Sequence, residues 1–216
     1  MKGLGTLRRG LSLLLALALC LGMLPGMALA AENGTYRKVT EAPADWTGEY
    51  LLVYEAGTSE AYVFNGSSDE LDSANNYVGA KIDGDTITAD RAYSVTAEAV
   101  TDGYVLKAAN GQYIYASSNN NMLSTSPNQA TAAKYPITFE VTSEGVDIEL
   151  SSGPHMRFNA ASDQMRFRYY KSSSYANQKA VSLYKLEEGG SQGGGDVTVI
   201  AAPQATPQAG EVESGT

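Results

Sequence analysis

Short runs of alternating apolar and polar residues, separated by turns rich in Gly, Asn and Ser, recur along the chain from about residue 35 onward. The clearest example is residues 103–144, where four such runs follow one another. Asn110-Gly111 separates the first two runs. This dipeptide is a strong hairpin signal, because both central residues of a type I′ turn need positive φ. The pattern predicts four short β-strands, of which the first two pair.

The same four-strand unit recurs on both sides of residues 103–144. The fourth strands, aligned on Tyr93, Ile137 and Val181, are spaced 44 residues apart. The second strands are spaced 51 and 43 residues apart, and we attribute the longer spacing to an inserted hairpin at residues 81–88 with its turn at residues 83–84. Three copies of one unit predict an all-β structure with pseudo-threefold symmetry. A β-sandwich is the alternative.

This pattern over residues 36–188 resembles the β-trefoil fold of ricin-type lectins and fascin-like domains. Residues 111–116, Gly-Gln-Tyr-Ile-Tyr-Ala, are similar to a second strand of such domains. The resemblance implies a β-trefoil-like barrel of three four-strand repeats. The Gln-x-Trp motif of sugar-binding ricin-type repeats is absent from the sequence, so that family's sugar site is not carried over.

Residues 1–30 have the organisation of a secretory signal peptide. Three basic residues precede an apolar stretch at residues 11–23, and a small-residue cleavage site ends at Ala30. Cleavage there removes Cys20, the single cysteine, so the mature chain would fold without a disulfide. These features predict a bacterial protein that is secreted or held at the cell surface.

The mature chain would carry 12 basic and 24 acidic residues, a net charge of −12. Such a surface repels nucleic-acid backbones and anionic membranes. After residue 31, no apolar stretch approaches the roughly 20 residues of a membrane-spanning helix. We therefore expect neither a nucleic-acid partner nor a membrane span.

The composition changes after Leu186. Residues 189–196 are a Gly-rich linker. Residues 197–216 resemble the first strand of the chitobiase/β-hexosaminidase C-terminal-type domain, a small Ig-like module. Residues 166–186 also resemble a module of large secreted bacterial proteins, where it accompanies nucleases, phosphatases and glycan-active enzymes. Together the resemblances imply the truncated start of a second module, with covalently linked downstream domains as partners.

Few residues suited to catalysis or metal binding are present. His155 is the only histidine, and nucleophile-elbow, zinc-protease, phosphate-loop and dinucleotide motifs are absent from the sequence. The aspartates at residues 83–90 do not follow the order of a calcium-binding loop. A Ser-His-Asp arrangement around His155 and a carboxylate pair stay open on composition alone. We predict a non-catalytic chain with no metal site and no cofactor.

The third repeat concentrates positive charge in an otherwise acidic chain. If its apolar residues face the core, strand alternation turns Arg157, Arg166, Arg168 and Tyr170 to the other face. Arginines on neighbouring strand positions repel one another unless an anionic group lies between them. Either a carboxylate of the same chain or an anionic ligand can supply this negative charge. The candidate ligand-binding residues are Arg157, Arg166, Arg168, Tyr170, Lys171 and Tyr175.

Two functions from different classes fit these observations. The first is a carbohydrate-binding or adhesive module that holds its parent protein on a polysaccharide or glycoconjugate. Exposed aromatic side chains would favour it, and Trp46 either stacks on a sugar or caps the core. The second is a structural spacer that positions a downstream catalytic domain. Arginines fully neutralised by internal carboxylates would favour the spacer.

Overall fold

The structure, a computed structural model, describes residues 32–66, 76–171 and 176–187. The predicted signal peptide, the Gly-rich linker, residues 197–216 and Tyr175 lie outside the described residues. The described part is all-β, as predicted, and it also contains one short α-helix. Its elements are β1 Asn33–Lys38, β2 Gly48–Glu55, β3 Glu60–Phe64, β4 Tyr77–Lys81, β5 Thr86–Asp90, β6 Val95–Val100, β7 Gly103–Ala108, β8 Tyr113–Tyr115, β9 Ser124–Ser126, α1 Gln129–Ala132, β10 Ile137–Thr142, β11 Gly145–Leu150, β12 His155–Asn159, β13 Arg166–Tyr170, β14 Gln178–Lys179 and β15 Ser182–Leu186.

The strands form one antiparallel sheet. Its main path runs β13-β12-β11-β10-β7-β6-β2-β15-β1-β5. The β3–β4 hairpin extends from β2, the β8–β9 hairpin from β7, and β14 from β12. A separate antiparallel bridge joins Val146 of β11 to Val181, directly before β15. The Val146 N–H donates to the Val181 carbonyl at 2.7 Å, so two strands that are distant along the sheet path lie side by side.

The turn between β7 and β8 joins the predicted strands but is not of the predicted type. A type I′ turn needs positive φ at both central residues, but only Gly111 has one, with a φ of 86°. Asn110 has a negative φ, because Asp102 is the only non-glycine residue with positive φ among the described residues. The Asn110 side chain acts instead: its Oδ1 accepts from the Gln112 N–H at 2.9 Å. Its Nδ2 donates to the Gly66 carbonyl at 2.5 Å. Asn is therefore selected here for local side-chain hydrogen bonds rather than for positive φ.

The structure differs from the predicted inserted hairpin at residues 81–88 in its strand pairing. The chain does turn at residues 83–84, where an isolated bridge joins Asp83 to Thr86. However, β5 then pairs with β1, with Ile87 opposite Tyr36, and both of these side chains are fully buried. Tyr93, used to align the fourth strands, lies in a 3-10 turn, and β6 begins only at Val95.

Strand β2 is buried on both faces, which explains its unbroken apolar sequence. Tyr50 and Leu52 belong to the main core, whereas Leu51 and Val53 belong to a smaller core on the opposite face. Strands β1 and β5 cover that second face by packing Tyr36 and Ile87 against it. The β12–β13 hairpin contributes Met156, Phe158, Phe167 and Tyr169 to the main core.

The carboxylate of Glu49, at the edge of the smaller core, accepts hydrogen bonds from the side chains of Tyr36 and Arg91. Glu49 accepts hydrogen bonds from the Tyr36 hydroxyl at 2.8 Å and from Arg91 Nε at 3.0 Å. Burial alone would raise the pKa of Glu49, but these donors outweigh it and hold the pKa below its ordinary value. A lowered pKa stabilises the fold above the ordinary carboxyl value of 4.5, and that stabilisation is lost as the pH falls through the folded pKa.

Glu49→Gln is therefore expected to lower the free energy of unfolding at pH 7 by about 1 kcal/mol. Because Gln does not titrate, the difference from the unaltered protein should shrink as the pH falls below about 4. Urea unfolding at pH 7 and pH 3 measures both effects. Glu140→Gln, on the exposed side of β10, is the control and should change little at either pH. A difference that stays constant with pH would contradict the ionic role of Glu49.

Candidate functional site

The β12–β13 hairpin separates an apolar face from a polar one. Met156 and Phe158 of β12 and Phe167 and Tyr169 of β13 are fully buried in the main core. Strand alternation places the intervening side chains on the opposite face, as the sequence predicts.

The pairing register brings the arginines of that face together. Arg157 lies directly opposite Arg168, and Asn159 lies opposite Arg166. Side chains that are opposite one another in an antiparallel pair have Cβ atoms about 5 Å apart. We call the surface formed by Arg157, Arg166 and Arg168 the arginine face.

One internal carboxylate balances part of this charge. Asp147 of β11 accepts from Arg157 Nη2 at 2.9 Å, and the Arg157 side chain is only 12% exposed. The Nδ1 atom of His155 lies 3.1 Å from both oxygens of the same carboxylate. Arg166, by contrast, makes no ion pair within the described residues, and its buried Nε atom has no hydrogen-bond partner there. Asp147 therefore neutralises Arg157, whereas Arg166 has no such carboxylate partner within the described residues.

The remaining candidate residues differ in their placement. Tyr170 lies on the predicted face of β13 but is only 3% exposed, so neighbouring segments cover its ring. Alternation identifies the face of a strand, but it does not show which neighbouring segments cover that face. Lys171 is exposed, and its N–H donates to Asn121 Oδ1 at 3.0 Å. Tyr175 lies outside the described residues.

Asp147, Glu149 and His155 form a group whose possible metal-ligand atoms lie within 4.8 Å of one another. The Asp147 carboxylate already accepts from Arg157, and a guanidinium at 2.9 Å repels a cation. We therefore interpret Asp147 as a carboxylate that balances charge on the arginine face rather than as a metal ligand.

A cavity lined by side-chain amides lies beside the arginine face. It has a volume of about 440 Å³ and is lined mainly by Asn121, Asn159, Asp163, Gln164, Asn177 and Gln178. Asn159 joins it to the arginine face, because its strand partners are Arg166 on one side and Gln178 on the other. We call it the amide cavity. Local sequence patterns do not predict this cavity, because its residues come from segments separated by up to 57 positions.

The aromatic side chains outside this region are largely committed to packing. Trp46 is 7% exposed and stacks on Phe139 with ring centroids 4.7 Å apart, so it caps the core. Tyr54 and Tyr62 are half-buried and stack on Phe158 at 4.6 and 5.6 Å. Each of the two lines a further cavity, one of about 430 Å³ and one of about 660 Å³. These two cavities are alternative locations for a ligand.

No protein-family model, curated protein or solved structure matches the chain at a significant level. Among the described residues, no helix is long and apolar enough to span a membrane.

Proposed function

We propose that this chain is a non-catalytic extracellular module that binds carbohydrate, with the arginine face as its site. The observation that carries the proposal is Arg166, which lies on the same face as the opposed pair Arg157 and Arg168 and makes no ion pair within the described residues. Like charges so placed repel each other, and an anionic partner relieves the repulsion. Planar guanidinium groups bind carboxylate or sulfate through paired hydrogen bonds.

We further propose that the strands form a β-trefoil-like barrel. Strands β15, β2, β6, β7, β10 and β11 pair in that order, and the Val146–Val181 bridge links β11 back to the chain before β15. Each repeat would supply two of these strands and one hairpin, namely β3–β4, β8–β9 or β12–β13. A plain β-sandwich does not require the return contact between β11 and β15.

The first strand of each proposed repeat begins in the same way, which supports the threefold arrangement. Gly48, Gly103 and Gly145 open β2, β7 and β11 with φ values of 137°, 151° and 146°. In the second and third repeats, a Cβ atom added to this glycine would overlap a backbone carbonyl at the start of the repeat's last strand. The carbonyl is that of Ile137 for Gly103 and that of Val181 for Gly145. A shared backbone conformation at three equivalent positions is what a repeated unit predicts.

A bacterial surface or secreted location belongs to the same proposal. Its support is the arrangement of basic, apolar and small residues within residues 1–30. A module placed there meets polysaccharides and glycoconjugates directly.

Affinity electrophoresis tests the binding function. The full chain is run through gels that contain neutral or anionic polysaccharides, beside an Arg166→Ala/Arg168→Ala variant. We expect one polysaccharide to retard the chain and the variant to lose about tenfold or more in affinity, because each charge-assisted hydrogen bond contributes about 1.5–3 kcal/mol. Lys107→Ala/Lys134→Ala is the matched control, since it removes two positive charges that lie outside the arginine face and outside the three cavities described above.

The structural spacer is the second candidate, and the Asp147–Arg157 pair is the observation that favours it. A spacer predicts no retardation by any polysaccharide, together with a lower unfolding midpoint for the Arg166→Ala/Arg168→Ala variant. Retardation that is equal for this variant and the lysine control would place binding outside the arginine face.

A further inference from the structure

We propose that the arginine face and the amide cavity form a single site for an acidic sugar, one that carries a carboxylate or a sulfate group. The sugar ring would occupy the cavity, and its anionic substituent would lie on Arg166. This inference rests on the proposed carbohydrate-binding function and makes it more specific.

The lining of the cavity suits a polyhydroxylated ring. Asn121, Asn177 and Gln178 each offer both a donor and an acceptor, so they match hydroxyl groups, which also do both. A volume of about 440 Å³ falls within the range of about 300–1,000 Å³ found for small-molecule sites. Its size and its polarity favour a monosaccharide unit over an apolar ligand.

The cavity and the arginine face are joined through a single residue. Asn159 is only 4% exposed and contributes to the cavity lining. Its Oδ1 accepts from the Ala161 N–H at 3.0 Å, which fixes the orientation of the amide. Arg166 is its partner across the β12–β13 pair. A substituent on a ring held in the cavity would therefore be within reach of Arg166.

Two buried atoms define the chemistry that the ligand should bring. Gln178 Oε1 and Arg166 Nε both lack a hydrogen-bond partner among the described residues. Leaving such atoms unsatisfied costs about 1–3 kcal/mol each. A sugar hydroxyl would donate to the Gln178 oxygen, and a carboxylate or sulfate would accept from the Arg166 guanidinium after small side-chain rotations.

The acidic residue of the cavity sets the orientation of the ligand. Asp163 lies in the loop between β12 and β13 and also lines the cavity. Its carboxylate repels an anionic substituent but accepts hydrogen bonds from sugar hydroxyls. The anionic group should therefore lie toward Arg166, with the neutral hydroxyls toward Asp163.

Isothermal titration calorimetry of the full chain tests this site with matched ligand pairs. One pair is an oligogalacturonate and its fully methyl-esterified form, and the other is a sulfated galactan oligosaccharide and its desulfated form. We expect an acidic member to bind about tenfold or more tightly than its neutral counterpart. The pair that shows this difference identifies the substituent as carboxylate or sulfate.

Two variants separate the parts of the site. Arg166→Gln should weaken binding of the acidic ligand about tenfold and leave the neutral one unchanged. Asn177→Ala changes no charge and should weaken binding of either form about threefold or more. Asn177 is exposed, so the fold should survive the change, and circular dichroism melting curves check both variants.

Three results would overturn the inference. Equal affinity for the acidic and neutral forms, with no effect of Arg166→Gln, would leave a carbohydrate-binding module without an acidic-sugar site. Inorganic sulfate binding as tightly as the oligosaccharides would show that the cavity holds no sugar ring. A chain that binds none of these ligands, and no polysaccharide in the gels, would remove the proposed function itself.

Discussion

Gly145→Ala is expected to lower the free energy of unfolding by about 3 kcal/mol. Gly145 has a φ of 146°, a conformation that residues with a Cβ atom rarely adopt. A Cβ atom built on it would overlap the Val181 carbonyl oxygen. That oxygen accepts the Val146 N–H at 2.7 Å, so the backbone cannot shift without weakening the contact between β11 and the start of β15.

Urea unfolding at pH 7 measures this loss. Gly57→Ala is the matched control, because Gly57 has no positive φ and a Cβ there would meet nothing within 4 Å. We expect the control to change stability by no more than about 0.5 kcal/mol. Equal effects of the two substitutions would show that the β11–β15 contact contributes little, and would weaken the β-trefoil proposal.

Asp147→Asn should lower the free energy of unfolding by about 2 kcal/mol. The substitution leaves Arg157 without its carboxylate while it still faces Arg168 across the strand pair. Breaking a fully buried ion pair from one side costs about 3–5 kcal/mol, and the 20% exposure of the Asp147 side chain reduces that figure.

A double-mutant cycle separates the ion pair from other effects. Asp147→Asn/Arg157→Gln should be more stable than the sum of the two single losses predicts, because the second change removes the uncompensated charge. Glu140→Gln on β10 is the control for losing an exposed carboxylate. If Asp147→Asn costs no more than this control, Asp147 does not balance the arginine face.

Local alternation was sufficient to predict the two faces of the β12–β13 hairpin. Phe158 and Phe167 lie in the core and Arg157 lies opposite Arg168, because side chains of a strand alternate and a short loop restricts the possible registers. The all-β class followed from the same periodicity together with the spacing of the turns.

Long-range partners could not be predicted in this way. The pairing of β5 with β1 joins segments about 50 residues apart, and it depends on the fit of Ile87 and Tyr36 over the outer face of β2. Burial of Tyr170 likewise depends on chain segments that cover the hairpin, and not on its own strand. The amide cavity could not be predicted for a related reason, because Asn121 and Asn177 line it from loops that are more than 50 residues apart in the chain.

The most direct test of carbohydrate binding at the arginine face is an NMR titration of the 15N-labelled full chain with the polysaccharide fragment that retards it in gels. Backbone amide shifts are expected to concentrate in β12, β13, residues 160–164 and residues 176–178. Shifts centred instead on Tyr54 or Tyr62 would place the ligand in one of the other two cavities. That result would contradict the assignment of the arginine face as the binding site.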